Sequence, residues 1–479
     1  MTAAALARLV PAGVAVTLVE SDAIGIVGVG EATIPSIRTF NALLGIDEHD
    51  MMARTQGTMK LGIEFVDWGL PGERYFHPFG AFGIDLDGVP FHQHWLRLRA
   101  AGRVDGIENF SASALAARAG RFAAPNQDPR SVRSHLLHAY HFDASLYARF
   151  LRDFAEARGV RRVEGRIVDV KLGGEDGFIR AVKLEDGTSI EGELFVDCSG
   201  FVGLLIQKTL NAGYDDWSQW LPCDRAVAVP STGTGQSEPF TRSTALEAGW
   251  QWRIPLQHRT GNGYVYASAH LSDDEAAATL LANIEGQALA EPRQLRFVTG
   301  RRKVAWSRNC VAIGLAAGFL EPLESTSIHL IQTGIARLLA LFPDQNCDPR
   351  DRDLYNERTR VETEQVRDLI ITHYALSGRQ GALWSATREM ALPESLGARI
   401  EMFRRRGRVF PRCDELFAEA SWVAVLLGQG VAPERWDRPA DAMDADQLAE
   451  TLTRISSALR AGILALPSHE SYLRQHCQR

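Results

Sequence analysis

The chain has 479 residues, of which 45% are hydrophobic and 23% are charged, and its formal net charge is -7. A chain of this length is too long for one compact core, so it predicts a large α/β domain with a second region. The negative charge and the lack of a basic stripe argue against a nucleic-acid-binding protein. The basic run Arg404–Arg406 is interpreted as the solvated end of a helix rather than a phosphate site.

The six cysteines are scattered and form no C-x-x-C pair; they are Cys198, Cys223, Cys310, Cys347, Cys413 and Cys477. Such spacing is typical of neither a disulfide framework nor a zinc site, and it fits a reducing compartment. No apolar stretch reaches the roughly 18 residues of a membrane span, and no signal peptide opens the chain. The sequence therefore predicts a soluble cytoplasmic protein without a metal or membrane partner.

The first predicted elements are a helix over residues 2–9 and a buried strand over Val14–Glu20, which ends in an acidic residue. A strand-rich zone extends from Val160 to Cys198. Further strands are predicted over residues 250–268 and 301–313.

Beyond Ser327 the pattern is mostly helical, because apolar residues recur at helical spacing. No repeat or low-complexity linker interrupts the chain. This order predicts an α/β nucleotide-binding module with an inserted β-sheet over residues 1–335, and a mostly helical region over residues 336–479.

One acid and three motifs are typical of a nucleotide-cofactor site. Glu20, at the end of its strand, is placed to bond a ribose hydroxyl, although a surface acid at that position is an equal alternative. The glycines of GVGEAT (Gly28–Thr33) allow close backbone approach to a ligand, and FVDCSG (Phe195–Gly200) ends in small residues. AIGLAAGFLEPLEST (Ala312–Thr326) predicts a strand, a glycine turn and a helix start whose free N–H groups attract anions.

Five segments carry a family resemblance. They are GVGEATIPS (Gly28–Ser36), GTMKLGIEFVDW (Gly57–Trp68), FVDCSGFVGLLI (Phe195–Ile206), GWQWRIP (Gly249–Pro255) and EPLESTSIHLIQ (Glu321–Gln332). Together they resemble the tryptophan halogenase family of flavin-dependent halogenases, over nearly the whole chain. The resemblance implies a FAD-binding module of the aromatic-hydroxylase type with a helical substrate-binding region added.

The most specific segment is the W-x-W-x-I-P string at Trp250, Trp252, Ile254 and Pro255. Taken alone, the string is also compatible with a pair of core tryptophans. Beside the lysine segment and the P-L-E-S-T string, it strengthens the resemblance. The resemblance implies that Trp250 and Trp252 keep organic substrate away from the flavin.

The resemblance also implies that reduced FAD and oxygen oxidise a halide, chloride or bromide, to hypohalous acid. Lys60 matches the family's essential lysine. Its apolar neighbours Met59 and Leu61 predict a partly desolvated amine of lowered pKa, which hydrogen-bonds hypohalous acid or forms a haloamine. Without the resemblance, an ordinary surface lysine is the better interpretation of Lys60.

Glu324 is the second catalytic candidate by resemblance, and it accepts the proton lost by the aromatic ring or polarises hypohalous acid. Its alternative is an ordinary glutamate in the first turn of a helix. Ser325 is expected to position its neighbours by hydrogen bonding. The backbone N–H groups of Thr326 and Ser327 are expected to hold the halide. Ser327 stands where the family usually has glycine, a change that spares the amide.

The resemblance further implies contacts with FAD from residues in several segments, namely Glu20, Gly30, Ala32, Ile167, Ser199, Gly200, Gly314, Leu315 and Ile328. Because the chain has no second dinucleotide fingerprint for NAD(P)H, we expect a separate flavin reductase to supply FADH2. A homodimer is left open.

The usual opening of a dinucleotide-binding fold is a strand followed by a G-x-G-x-x-G loop on the pyrophosphate. Neither is found, and residues 1–9 look like the helix that follows such a loop. We therefore expect the first strand and the Gly-rich loop to be missing, and the chain as it stands to bind FAD weakly.

The substrate is the least determined part. In SWVAVLLGQG (Ser421–Gly430), Trp422 keeps one aromatic residue of the family's substrate clamp, and Val423 replaces the second. This replacement argues against free tryptophan and leaves indole, a larger aromatic or a peptide-borne side chain open. Two other functions remain: an aromatic monooxygenase, against which the tryptophan pair argues, and an inactive flavin-fold protein, which the missing loop leaves open.

Overall fold

The protein is described by a computed structural model that covers residues 1–10, 13–24, 30–233, 235, 237–412 and 414–477. Gly28 and Val29 of the predicted glycine turn, and Cys413, lie outside the described residues. The predicted helix over residues 2–9 is confirmed, and so is the helix that follows the P-L-E-S-T string.

The α-helices in the described residues, numbered in chain order, are α1 (Thr2–Leu9), α2 (Ser36–Leu44), α3 (Glu48–Thr55), α4 (Phe91–Ala100), α5 (Ala112–Arg118), α6 (Ala144–Glu156), α7 (Asp273–Asn283), α8 (Ser327–Ala340), α9 (Pro349–Ala375), α10 (Ala382–Glu389), α11 (Glu394–Arg406), α12 (Glu419–Gly428), α13 (Ala445–Leu464) and α14 (His469–His476).

The β-strands, numbered in the same way, are β1 (Thr17–Glu20), β2 (Glu31–Ala32), β3 (Thr58–Lys60), β4 (Gly62–Val66), β5 (Arg74–Pro78), β6 (Ala139–Phe142), β7 (Arg161–Glu164), β8 (Ile167–Leu172), β9 (Ile179–Leu184), β10 (Ser189–Glu191), β11 (Phe195–Asp197), β12 (Tyr214–Asp216), β13 (Arg225–Ser231), β14 (Thr241–Leu246), β15 (Gly249–Pro255), β16 (Thr260–Tyr266), β17 (Arg293–Arg296), β18 (Gly300–Arg302), β19 (Trp306–Ser307), β20 (Cys310–Ala312) and β21 (Gly318–Phe319). The mixed α/β class is confirmed.

The largest sheet has seven strands in the order β17-β13-β16-β15-β14-β4-β5. Strand β14 runs parallel to β4, and the other neighbours are antiparallel. In β15 and β16 nearly every residue is buried. Their register places Trp252 opposite Gly263. A Cβ atom on Gly263 would lie 2.1 Å from the indole of Trp252, so glycine provides the space for that ring.

Two short parallel pairs, β1 with β7 and β11 with β20, have the geometry expected of a nucleotide-binding module. The strand predicted over Val14–Glu20 is shorter, Thr17–Glu20, and it is only partly buried. The prediction of a buried strand was wrong here because β1 pairs with β7 in a two-stranded sheet. The predicted absence of a first strand and its loop stays a prediction.

The predicted boundary between residues 335 and 336 falls inside α8, which continues to Ala340. The helical part also shares one hydrophobic core with the large sheet, because a single buried cluster contains Phe65, Trp250, Ile370, Val425 and Leu448. The helices α9 to α13 therefore pack against the sheet in one core, and the division of the chain into two domains stays a prediction.

Among the described residues, Cys198, Cys223, Cys310, Cys347 and Cys477 are free thiols. Within the same ranges, no group of three His, Cys, Asp or Glu side chains is arranged around a metal position. A search of the described helices also finds none that has the length and apolar character needed to cross a bilayer.

The helix α14 closes the free edge of the strand that carries Lys60. Strand β3 pairs with β6 on one side only. On its other side, the N–H of Met59 donates to Nε2 of His469 at 3.1 Å, and Nδ1–H of His469 donates to the carbonyl of Ser237 at 2.6 Å. Burial lowers the pKa of His469 to about 4, so its imidazole is neutral and Nε2 is able to accept.

We expect His469→Ala to destabilise the protein by about 1–3 kcal/mol, because the buried N–H of Met59 loses its acceptor. Thermal or urea unfolding of purified protein measures this loss. Gln475→Ala, at an exposed position of the same helix, is the matched control and is expected to remain near wild type. Equal stability of the two variants would contradict the role of His469.

Candidate active site

Lys60 lies at the end of β3 and its side chain is fully buried. Its Nζ donates to Oγ of Ser325 at 2.7 Å and lies 5.3 Å from the ring centre of Phe79. Burial lowers the pKa of Lys60 to about 7, and the negative charge of Glu324 limits the shift. The amine is therefore partly neutral at physiological pH, which makes it a nucleophile as well as a hydrogen-bond donor.

Glu324 is held between two imidazoles in the same interior. Nδ1 of His77 lies 2.9 Å from Oε2, and Nε2 of His373 lies 2.7 Å from Oε1. Burial alone would raise the pKa of Glu324, but the two histidines more than offset this and hold the pKa at about 2. The carboxylate is consequently charged and fixed in orientation, and it is 1% exposed.

A second layer of side chains fixes the tautomer of His373. Because a carboxylate only accepts, the hydrogen of the neutral ring must lie on Nε2. Its Nδ1 then accepts from the hydroxyl of Tyr75 at 2.8 Å, and the Tyr75 oxygen accepts from Nε2 of Gln429 at 3.0 Å. Burial lowers the pKa of His373, which keeps this ring neutral. A chain of hydrogen bonds thus leads to Glu324: Gln429 donates to Tyr75, Tyr75 donates to His373, and His373 donates to the carboxylate.

His77, His373 and Tyr75 were not predicted from the sequence. Two signals in the sequence point to them. Tyr75 and His77 alternate on β5, so their side chains lie on one face of the strand. His373 is a polar residue within the apolar run of α9 from Leu369 to Tyr374, a position that requires a buried partner.

The segment that joins Glu324 to α8 forms the predicted halide position. A 3-10 turn over Pro322–Glu324 ends at Ser325, which has the left-handed φ of 58°. Thr326 follows as the N-cap of α8, and Ser327 is the first residue of that helix. The hydroxyl Oγ1 of Thr326 is buried and has no hydrogen-bond partner among the described side chains and backbone. Free N–H groups at a helix start attract anions.

A mostly apolar cavity of about 300 Å³ adjoins this turn. It brings together eight of the predicted residues, namely Gly30, Ala32, Trp252, Gly314, Leu315, Ser325, Ser327 and Ile328. Ser325 connects the cavity to the buried Lys60, because it lines the cavity and accepts the hydrogen bond from the Lys60 amine.

The tryptophan pair belongs to β15 of the large sheet. The ring centres of Trp250 and Trp252 are 6.1 Å apart. Trp250 is buried in the core and its Nε1 donates to Oε2 of Glu321 at 2.9 Å, whereas Trp252 lines the cavity. The two tryptophans therefore have different surroundings, and only Trp252 of the pair faces the cavity.

The remaining predicted cofactor residues do not line the cavity. Glu20 is paired with Arg162 at 2.6 Å and with Arg152 at 3.2 Å. Ile167 begins β8 in a separate sheet. The hydroxyl of Ser199 donates to Asp197, and Gly200 follows it with a φ of 75°. The roles of these four residues in binding FAD stay predictions.

Trp422, the predicted substrate contact, is fully buried in the helical part. Its Nε1 donates to Oε1 of Glu415 at 3.0 Å, and the guanidinium of Arg399 lies 4.2 Å from its ring centre. These contacts favour a structural role for Trp422. Phe417 is an aromatic residue beside the histidines of Glu324, since its ring centre lies 6.3 Å from that of His77.

Comparison with known proteins identifies the class to which the chain belongs. The fold is shared with solved flavin-dependent halogenases. Xcc4156 from Xanthomonas campestris is 47% identical, with a TM-score of 0.96 over 100% of this chain and 96% of that one. BrvH from Brevundimonas sp. BAL3 is also 47% identical, with a TM-score of 0.95 over 99% and 96% of the two chains. The protein is thus an enzyme of the flavin-dependent halogenase class, an oxidoreductase.

More narrowly, residues 1–445 match the tryptophan halogenase family, and the chain belongs to that family. The tryptophan 6-halogenase SttH of Streptomyces toxytricini is 36% identical over 507 residues, which span 100% of this chain and 96% of the relative. The resemblance derived from the sequence motifs is confirmed.

We expect the Lys60 amine to titrate near pH 7 in the flavin-free protein. Replacing Glu324 by Gln is expected to lower the pKa of Lys60 further, because the carboxylate is the group that raises it. NMR of protein labelled at the lysine side chains measures both values. The chain has only five lysines, and Lys171, Lys183, Lys208 and Lys303 are exposed.

Lys60→Met assigns the signal and serves as the control for this titration. A Lys60 amine that is still fully protonated at pH 9 would contradict the prediction, and so would a higher pKa in Glu324→Gln.

Proposed function

We propose that this protein uses FADH2 and oxygen to oxidise chloride or bromide and transfers the halogen to an electron-rich, indole-type aromatic substrate. The observation that carries the proposal is the buried Lys60 amine, bonded to Ser325 of the cavity wall and accompanied by a charged Glu324. The Lys60 amine is suited to capture an electrophilic halogen, and the Glu324 carboxylate is suited to remove a proton from the substrate.

The apolar wall of the cavity supports its assignment to the isoalloxazine ring of FAD. Its wall is mostly apolar, and Gly314, with a φ of 70°, follows β20 as the backbone turns toward α8. Gly30, Ala32, Leu315 and Ile328 would hold FAD there. When bound in reduced form, FAD supplies, with oxygen, the two-electron oxidation of halide to hypohalous acid.

The halide would be held by the N–H groups of Thr326 and Ser327. The unpartnered hydroxyl of Thr326 supports this assignment, because it adds a buried donor at the same turn. Ser327 lines the cavity, so the anion would lie at the boundary between the cofactor and the buried lysine.

Lys60 would receive the hypohalous acid. The neutral amine accepts the halogen and water leaves, which yields a haloamine; the protonated amine instead donates a hydrogen bond to the oxygen of hypohalous acid. A pKa of about 7 makes both forms accessible to Lys60. The buried position excludes water, which would otherwise disperse the oxidant.

Glu324 would take the proton that leaves the ring carbon when the carbon–halogen bond has formed. His77 and His373 hold the carboxylate in place and keep it charged until that step.

The relative SttH is named as a tryptophan 6-halogenase. In this chain we propose an indole-type substrate whose identity differs from free tryptophan, since Val423 is a buried aliphatic residue in the segment of the family's aromatic clamp.

We expect FADH2 to come from a separate flavin reductase. Purified protein with FAD, NADH, bromide and indole is expected to give no product until a reductase is added. Fast oxidation of NADH by the protein alone would contradict this expectation, and a reductase assayed without the halogenase provides the background rate.

We expect Lys60→Ala to abolish halogenated product while leaving the oxidation of reduced flavin intact, because the oxidant is no longer retained. Glu324→Gln keeps the shape and removes the charge, so a loss on the order of 10²-fold in transfer is expected. Mass spectrometry of the products, with bromide and indole, distinguishes halogenation from hydroxylation.

Lys183→Ala removes an exposed lysine of β9 and serves as the matched control. Wild-type yield from Lys60→Ala would refute the assignment. Hydroxylated indole as the main product of the wild type would instead indicate a monooxygenase.

A further inference from the structure

A second glutamate of the same turn, Glu321, is buried without any contact with the cavity. Its side chain is 0% exposed. Oε2 accepts from Nε1 of Trp250 at 2.9 Å and from the hydroxyl of Tyr374 at 2.5 Å. Oε1 is buried and has no hydrogen-bond partner within the described part of the chain. The flanking residues Leu320 and Pro322 line the cavity, whereas Glu321 points into the core.

The partners of Glu321 connect it to both sides of the site. Tyr374 follows His373 directly on α9, and His373 donates to Glu324. Two consecutive residues of one helix therefore hold the two glutamates that lie three positions apart in the turn. Through Trp250, the same carboxylate also holds the strand that carries Trp252 on the cavity wall.

Packing alone does not account for a glutamate at this position. A buried carboxyl with an unpartnered oxygen costs free energy that an aliphatic side chain of similar volume would not cost. Burial raises the pKa of Glu321 to about 7, which records the same penalty. The side chain is thus better explained by the hydrogen bonds that it accepts than by the volume that it fills.

We propose that Glu321 is a positioning residue, which ties Trp250, and through β15 the cavity residue Trp252, to the turn that carries Glu324 and Ser325. The proposal rests on the proposed halogenase function. In the folded protein, Glu321 fixes the indole of Trp250 and the start of the turn in one geometry. Ser325 is consequently held at hydrogen-bond distance from Lys60. Oxidant formed at the cavity then meets the amine before it escapes.

The test compares Glu321→Gln with Glu321→Leu. The amide of glutamine still accepts from Trp250 and Tyr374, whereas leucine keeps the volume and accepts nothing. With saturating FAD, a flavin reductase, bromide and indole, the measured quantity is coupling: brominated indole formed per reduced flavin oxidised. We expect coupling to fall about tenfold or more in Glu321→Leu and to stay within about twofold of wild type in Glu321→Gln.

Two further variants keep the test decisive if Glu321→Leu does not fold. Tyr374→Phe removes one hydroxyl and is expected to lower coupling about threefold, with the flavin oxidation rate unchanged. Asp368→Asn is the matched control, because Asp368 is another buried carboxyl of α9 and contacts Arg367 and Ser395 rather than the turn. It is expected to lower the melting temperature without lowering coupling.

Wild-type coupling in folded Glu321→Leu would overturn the proposal. Equal losses in Glu321→Gln and Glu321→Leu, or an equal loss in Asp368→Asn, would also overturn it, because the accepted hydrogen bonds would then be irrelevant.

A readout without turnover separates this proposal from the proposed function. Protein labelled with 5-fluorotryptophan contains ten labelled positions, and Trp250→Phe assigns the fluorine resonance of Trp250. We expect this resonance to move in Glu321→Leu and to stay in Glu321→Gln. If the wild type forms no halogenated product, the proposed function fails, but the resonance still tests the contact between Trp250 and Glu321. An unmoved resonance in Glu321→Leu refutes the positioning role.

Discussion

The rest of the site depends on one arrangement, a lysine amine and a carboxylate that are both removed from water. Lys60 and Glu324 are 0% and 1% exposed. Either charge, buried without partners, would cost several kcal/mol. The two imidazoles offset this cost for Glu324. For Lys60 the cost is reduced by the lowered pKa, which makes the amine partly neutral, and by the hydrogen bond to Ser325. The protein thus maintains a reactive amine where an exposed lysine would be permanently protonated.

This constraint explains why the helical part and the large sheet share a core. The donors to Glu324 come from β5 and from α9, so the two elements must keep a fixed separation. Aromatic packing provides the rigidity: the ring of Phe65 stacks on His373 with centres 4.5 Å apart, and on Tyr75 at 4.8 Å. The position of the Glu324 carboxylate is therefore set by contacts between layers of the fold, rather than by the turn that contains it.

Local patterns in the sequence predicted the helices α1 and α8. The motifs also named Lys60, Glu324 and Trp252, which the fold brings together around Ser325. The partners of Glu324 were missed because they are distant in sequence: His77 lies 247 positions away and His373 lies 49 away. Periodicity reports which face of an element is buried, and it carries no information on which two buried polar groups meet. The same limit applies to Glu20, whose strand-end position was predicted while its two arginine partners were not.

The edge of β3 is completed by a residue made very late. Met59 donates to His469, which lies 410 positions further along the chain. During synthesis, the strand that carries Lys60 is formed near the beginning and keeps an open edge until α14 has left the ribosome. Removal of α14 would therefore expose an edge of the strand that carries Lys60, although the helix and the strand are far apart in sequence.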